Sequence, residues 1–147
     1  MSEEKQSARW YVAATHWLTG GVVPSFILYF IMVAVLRLGF GENIERGVDL
    51  LAFVYLLLMP LVYWLGAMYS ARYVNKKYII TDSGEVAKLA TLYLVVVGGG
   101  YRIFQMIAGS EFTVEHASFV LAVIAFYIAS KKYIHSSGAV VQQGVRQ

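Results

Sequence analysis

The chain has 147 residues, of which 59% are hydrophobic and 14% are charged. A soluble domain is nearer to about half apolar and about a quarter charged, so this composition predicts a protein whose solvent is lipid. The formal net charge is +3 and cysteine is absent, which excludes disulfides, thiolate metal sites and cysteine nucleophiles. The basic residues cluster at the ends of apolar segments, which indicates membrane anchoring and argues against nucleic acid as a partner.

The N-terminal segment, residues 1–18, is predicted to be polar at first and interfacial afterwards. Glu3 and Glu4 do not fit the basic leader of a cleavable signal peptide. The segment then becomes short and aromatic, with Trp10 and Trp17 on one helical face. That pattern is typical of a short helix at the level of the lipid head groups, or of the aromatic collar of the first span.

Four apolar segments follow, each close to the roughly 20 residues that a helix needs to cross a bilayer. The predicted spans cover residues 19–38, 48–71, 85–108 and 114–130, and a flexible tail covers 136–147. Gly20, Gly21 and Pro24 are expected to break or kink the helix, because proline removes a backbone hydrogen bond. The predicted fold is an all-α, single-domain, antiparallel bundle of four transmembrane helices, preceded by a short interfacial helix.

The distribution of lysine and arginine predicts the orientation in the membrane. Nine of the twelve basic residues fall on one predicted side: Lys5, Arg9, Arg72, Lys76, Lys77, Lys88, Lys131, Lys132 and Arg146. Arg37 and Arg46 fall on the other side, and Arg102 lies within a span. Because cytoplasmic loops carry the excess of basic residues, both termini are predicted to be cytoplasmic, in an inner or plasma membrane.

A weak internal repeat relates the two halves of the chain. The second and fourth spans each lead into Lys-Lys-Tyr-Ile, at residues 76–79 and 131–134. Leu-Tyr followed by an arginine recurs in the first and third spans. These matches favour two helical hairpins of like orientation, related by an axis along the membrane normal. Generic basic and aromatic membrane anchors account for the same matches equally well.

The third span contains a stripe of polar and glycine positions. At about 100° per residue, one narrow side of the helix carries Thr91, Gly98, Arg102, Gln105 and Gly109. A spanning helix of this kind has a side that faces protein. The glycines at 98–100 indicate either close packing against another helix or subunit, or local unwinding that exposes backbone groups to a ligand.

Glu111, just before the fourth span, and Glu115 in its first turn lie on the same helical face as a series of small residues: Ser118, Ala122, Ala125 and Ala129. We expect this stripe to face the stripe of the third span, because a short turn joins the two. At 1.5 Å per residue, Arg102 lies about 12 Å and Glu115 about 7 Å from the turn, a difference that an arginine can bridge. An unpaired guanidinium in hydrocarbon costs about 3 kcal/mol or more. We therefore predict an Arg102–Glu115 ion pair in a polar intramembrane cluster with Gln105 and Glu111. Snorkelling of Arg102 toward the head groups, or a purely structural clamp, is the alternative.

No catalytic residue, metal site or cofactor is predicted. His16 and His135 belong to one membrane boundary and His116 to the other, so the three histidines cannot jointly bind a metal or a haem. His116 also lies about 100° from the face of Glu111 and Glu115. The sequence contains no metalloprotease, hydrolase, Walker or dinucleotide-binding motif.

Three functional hypotheses fit these patterns. The first is a non-enzymatic membrane protein, homo-oligomeric, that scaffolds or accompanies other membrane proteins in the lipid bilayer. The second is a small channel or transporter in which Arg102, the glycines 98–100 and Gln105 form a polar path. The third is an enzyme on lipid-borne substrates that uses His116 and the two neighbouring glutamates.

Overall fold

The computed structural model describes residues 8–41, 44–109, 111 and 113–137, with the backbone alone for 44–46, 49 and 50. All regular structure in these ranges is helical. The helices are α1 (Arg9–Trp17), α2 (Val23–Phe40), α3 (Ile44–Lys77), α4 (Ser83–Leu94), α5 (Gly100–Ile107) and α6 (Val114–Tyr133). A π-helical turn, Leu18–Val22, joins α1 to α2, and another, Val95–Gly99, joins α4 to α5.

Four helical runs of the described chain are long and apolar enough to cross a membrane: Arg9–Phe40, Leu51–Lys77, Ser83–Ile107 and Val114–Tyr133. We refer to them as spans 1 to 4. The predicted all-helical class and the predicted four membrane-spanning segments are confirmed at this level.

Span 1 starts earlier than the sequence pattern indicates. The aromatic stretch from Arg9 onward is continuous with the span, instead of ending at Gly20 and Gly21. The irregularity that the glycines and Pro24 predict takes the form of the π-turn Leu18–Val22, which widens the helix without interrupting it. Pro24 follows at the start of α2, where its missing N–H is tolerated.

The starts of spans 1 and 3 and the ends of spans 2 and 4, which carry most of the lysines and arginines, are in contact at one end of the molecule, which we call the basic end. Arg9 and Glu85 form an ion pair that joins the starts of spans 1 and 3. The Asn75 side chain donates to the Tyr133 carbonyl at 2.8 Å and joins the ends of spans 2 and 4. We call the opposite end, where loops connect span 1 to span 2 and span 3 to span 4, the distal end.

The core is tightest in the half of the molecule toward the basic end. Seven alanines there are completely covered: Ala13, Ala67, Ala71, Ala87, Ala90, Ala122 and Ala129. Spans 2 and 4 share the most extensive contact, and α1 packs against α4. Gly66 packs directly against the Gly20 carbonyl. A Cβ at Gly66 would collide with that carbonyl and would lie 2.8 Å from Pro24 Cγ. Such small residues allow backbones to approach, which is how helices associate without a hydrophobic driving force.

The distal half is more open. Helix α2 buries Leu28 alone among its described side chains, and α5 buries none. Helix α2 packs mainly on α3, and α5 makes few contacts outside its own span. The four spans are therefore held together mainly toward the basic end.

The predicted tail begins as an ordered segment. The Ser137 N–H donates to the Ile80 carbonyl at 2.8 Å, and the Ser83 N–H donates to Ser136 Oγ at 3.2 Å. These bonds tie the end of span 4 to the start of α4. The rest of the predicted tail, 138–147, and residues 1–7 lie outside the described residues, as does Glu42 of the first loop.

Candidate functional site

Arg102 lies at the start of α5, just after the π-turn of span 3, and its side chain is half-buried. Its Nη1 donates to the Gly98 carbonyl at 3.2 Å. Its guanidinium carbon lies 4.0 Å from the centroid of the Phe119 ring in α6. Because Gly98 is one turn closer to the basic end, the side chain turns back toward the middle of the span. The side chain therefore does not snorkel toward the distal head groups.

Gly98 provides the space that Phe119 occupies. A Cβ at Gly98 would lie 2.7 Å from two atoms of that ring, whereas a Cβ at Gly99 would lie 3.8 Å from it in ordinary contact. A Cβ at Gly100 would meet nothing within 4 Å. Close packing therefore explains the first glycine of the triplet, and the π-turn shows that the helix is also locally irregular there.

The predicted ion pair between Arg102 and Glu115 does not form. Among the described side chains, the ion pair that the structure contains joins Arg9 to Glu85. Glu115 is exposed in the first turn of α6, near the distal end, while the guanidinium turns the other way. Gln105 is half-buried, and Glu111, which precedes α6, is exposed. That these two residues form one polar cluster with Arg102 stays a prediction.

Span 4 as a whole contacts mainly span 2 and only secondarily span 3. Ser118 is completely buried and donates to the Tyr55 carbonyl at 3.3 Å. The expectation that the stripes of spans 3 and 4 pack on each other is wrong for most of their length. Arg102 nevertheless contacts span 4, because its guanidinium lies over the Phe119 ring.

A second polar cluster centres on His16 in α1. Its Nδ1 lies 2.9 Å from Ser70 Oγ in α3, and its Nε2 lies 2.8 Å from Ser130 Oγ in α6. The Thr19 hydroxyl also contacts Ser70, and the imidazole centroid lies 5.2 Å from that of the Phe126 ring. One imidazole thus joins spans 1, 2 and 4.

The hydrogen-bonding capacity of this cluster is matched. A neutral imidazole has one donor and one acceptor nitrogen, and each serine hydroxyl can supply the complementary role. His16 and Ser130 have no exposed surface, and Ser70 is 4% exposed. A substrate cannot reach these atoms, so we assign the cluster the role of holding three helices together.

The sequence pattern placed His16 at a membrane boundary and missed this role. The three residues come from three helices, and no local spacing links them. The sequence feature that could have indicated the cluster is a pair of serines in mainly apolar spans. Ser70 and Ser130 each lie close to the basic residues that end their span. Buried hydroxyls in such segments require partners, and His16 lies at the matching depth in span 1.

The remaining predicted candidates do not converge. His116 is buried, and its Nδ1 accepts from the Thr113 N–H at 3.1 Å in a capping box at the start of α6. Glu111, Glu115 and His135 are exposed. Among the described residues, no group of three or more histidine, aspartate and glutamate side chains could hold a metal ion.

Two polar features therefore lie inside the described spans. The His16 cluster is closed, whereas Arg102 lies in the open, distal half of the molecule. Neither a protein-family model, nor a curated protein, nor a solved structure matches this chain. What the protein does must be inferred from its own residues.

Proposed function

We propose that the chain is a non-enzymatic integral membrane protein, a homo-oligomeric scaffold or accessory protein for other membrane components. The observation that carries this proposal is the closed packing of the half toward the basic end. There, covered alanines and the His16 cluster fill the space between the spans. Within the described part of the chain, this half of the bundle contains no polar path along the bundle axis through a single copy. This favours an accessory role over transport.

In this proposal the spans form an antiparallel bundle in an inner or plasma membrane, with both chain termini cytoplasmic. The Arg9–Glu85 and Asn75–Tyr133 contacts support this arrangement, because they gather the starts of odd spans and the ends of even spans at one end. The basic residues at that end support the cytoplasmic assignment. The glycine-containing π-turns of spans 1 and 3 support a relation between two helical hairpins.

Assembly with further copies is proposed through the distal part of span 3. Tyr101, Phe104 and Ile107 project from α5 with little cover from the rest of the chain. Gly100 lies among them, with open space where a side chain would be. A glycine on the exposed side of a span allows a second helix to approach closely, which is the usual basis of helix association in lipid.

Native mass spectrometry of the protein in lipid nanodiscs tests this role. We expect a dimer or larger assembly, and we expect Gly100→Leu to shift the population toward the monomer. Gly39→Leu is the matched control, because Gly39 of α2 also has nothing within 4 Å of its Cβ position. A wild-type protein that stays monomeric at all protein-to-lipid ratios would contradict the proposal.

A small channel or transporter is the second candidate, favoured by one observation. Arg102 turns into the span beside a π-turn, as expected of an anion-attracting position in an interrupted helix. Transport would require the half toward the basic end to open. Chloride and phosphate flux into proteoliposomes decides between the candidates: flux that Arg102→Gln abolishes in a folded protein supports transport. Flux no greater than in empty liposomes supports the accessory role.

A further inference from the structure

We propose that Arg102, supported by Gly98 and Phe119, binds an oxyanion: a carboxylate or phosphate group that enters from the distal end. The site lies within one chain and needs no second copy. It therefore stands or fails independently of the oligomeric role.

The first step of this inference is the direction of the side chain. An arginine near the end of a span lowers its cost by extending toward the head groups. Arg102 bends the opposite way and bonds to the Gly98 carbonyl, one turn deeper in the span. The half-buried positive charge is thus turned toward the middle of the span, where an uncompensated charge is costly. An anion bound at this position would compensate the charge of the guanidinium.

The second step is that the guanidinium is held in a fixed place. Phe119 lies against it at 4.0 Å, and the ring can occupy that position because residue 98 has no side chain. Attraction to an aromatic ring stabilises a cation by up to about 2 kcal/mol when water is excluded. Gly98 of span 3 and Phe119 of span 4 therefore orient one charged group, so a ligand would not bear the entropic cost of ordering it.

The third step is the unused capacity of the guanidinium. It has five N–H donors in a planar fork. In the described structure, one hydrogen bond joins it to protein, and no carboxylate forms an ion pair with it. A planar fork of N–H donors matches the two oxygens of a carboxylate or a phosphate, and such paired bonds are about twice as strong as neutral ones.

The fourth step is access. Arg102 is half-buried, not enclosed, and the helix that carries it makes few contacts with the other spans. Helix α2, on the distal side of span 1, also packs mainly on span 2. A small group can reach the guanidinium from the distal end, whereas the half toward the basic end is closed.

Glu115 limits the kind of anion that fits. Its carboxylate lies in the first turn of α6, near the distal end. It repels a doubly charged anion about twice as strongly as a singly charged one, so the site favours a singly charged carboxylate or phosphodiester. A lipid of the distal leaflet and a free solute can both present this chemistry.

The test uses the absence of cysteine from the chain. Gly100→Cys introduces a single thiol two positions from Arg102, where a Cβ meets no other atom within 4 Å. An environment-sensitive fluorophore on this thiol reports on the site. Because Gly100 also lies in the proposed contact with a second copy, the labelled protein is measured at one copy per nanodisc. The same fluorophore on Gly39→Cys, in a similarly open position on span 1, is the control.

Two arms distinguish the source of the oxyanion. In the lipid arm, nanodiscs of phosphatidylcholine are compared with nanodiscs that contain increasing phosphatidylglycerol. In the solute arm, phosphatidylcholine nanodiscs are titrated with monovalent inorganic phosphate or acetate at constant ionic strength. We expect a saturable response at the Gly100→Cys label in at least one arm, without a matching response at Gly39→Cys. No saturable response in either arm would overturn the proposal.

Substitutions at the site provide the specific control. Arg102→Gln should weaken binding by about 10-fold or more, because a charge-assisted hydrogen bond is lost. Phe119→Leu keeps the charge and removes its support, so a smaller loss is expected. Circular dichroism checks that each variant is folded. If Arg102→Gln does not fold, the proposal is still tested by Phe119→Leu and by the comparison of the two label positions without further substitutions. A response that persists unchanged in folded Arg102→Gln and in Phe119→Leu contradicts the proposal.

Discussion

Arg102 of span 3 lies over the ring of Phe119 of span 4, with 4.0 Å between the guanidinium carbon and the ring centroid. This contact replaces the ion pair that depth alone suggested. It links the open distal part of span 3 to the more firmly packed span 4, and it fixes the direction of the charge that the proposed oxyanion site uses.

The space that Gly98 leaves for Phe119 should make this position sensitive to a single methyl group. Gly98→Ala places a Cβ 2.7 Å from two ring atoms, and the ring has no flexible end that could give way. We expect a loss of about 1–3 kcal/mol, typical of overpacking. Gly100→Ala has open space and should be neutral, or stabilising by up to about 1 kcal/mol. Unfolding in mixed micelles, followed by circular dichroism, measures both; equal effects would show that Phe119 does not occupy this position.

The contact between spans 1 and 2 depends on Gly66. A Cβ there would collide with the Gly20 carbonyl, which is backbone, and lie 2.8 Å from Cγ of the rigid Pro24 ring. We expect Gly66→Ala to lower the midpoint of thermal unfolding strongly, or to prevent accumulation of folded protein. Gly39→Ala, with nothing nearby, should behave as wild type. Detergent-solubilised yield and thermal melts supply the comparison, and a stable Gly66→Ala variant would mean that these backbones are not in contact.

The His16 cluster should be worth more than its individual hydrogen bonds suggest. Ser130→Ala leaves one imidazole nitrogen buried without its partner, which costs about 1–3 kcal/mol. Thr91→Val is the control, because the Thr91 hydroxyl bonds to the Ala87 carbonyl of its own helix and joins no two spans. We expect His16→Leu combined with Ser70→Ala and Ser130→Ala to recover part of the loss, since every unpaired group is then removed. Chemical unfolding of the purified variants tests this order, and a triple variant less stable than Ser130→Ala would contradict it.

Length and hydropathy were sufficient to predict the helical class and the number of spans, because a bilayer demands apolar segments of fixed length. They could not set the start of span 1, because a π-turn carries the helix through Gly20 and Gly21, and Gly20 packs closely against span 2. The protein-facing role of Ala122 and Ala129 was also predicted correctly from the stripe in span 4, but the helix they face was not.

The internal polar contacts were the least predictable part of the molecule. The distance from Arg102 to Glu115 was inferred from helix rise alone. The predicted ion pair does not form because the Arg102 side chain points away from Glu115. Helical side chains lean toward the N-terminal end of their helix, which in span 3 leads away from Glu115 and toward Gly98. The bonds of His16 to Ser70 and Ser130 join residues far apart in sequence, so only the folded arrangement reveals them.

The contact between Arg9 and Glu85 should be weak in energy but informative about the arrangement of the helices. Their side chains are 50% and 43% exposed, so we expect removal of either charge to cost at most about 1 kcal/mol. In the cysteine-free chain, Arg9→Cys with Glu85→Cys should cross-link through a short bifunctional maleimide, which spans the gap between the backbones that a disulfide would not bridge. Arg9→Cys with Gly39→Cys should not, because those positions lie at opposite ends of span 1. If the first pair fails to cross-link, the starts of spans 1 and 3 are not adjacent, which would contradict this arrangement.

The most direct test of the account is a double-mutant cycle between Arg102 and Phe119. Arg102→Gln, Phe119→Leu and the double variant are unfolded in mixed micelles, and the free energies of unfolding are compared. If the guanidinium rests on the ring inside the protein, the two substitutions should show a coupling of about 1 kcal/mol or more. Effects that add to within about 0.5 kcal/mol would mean that Arg102 lies elsewhere, and the oxyanion site would lose its basis.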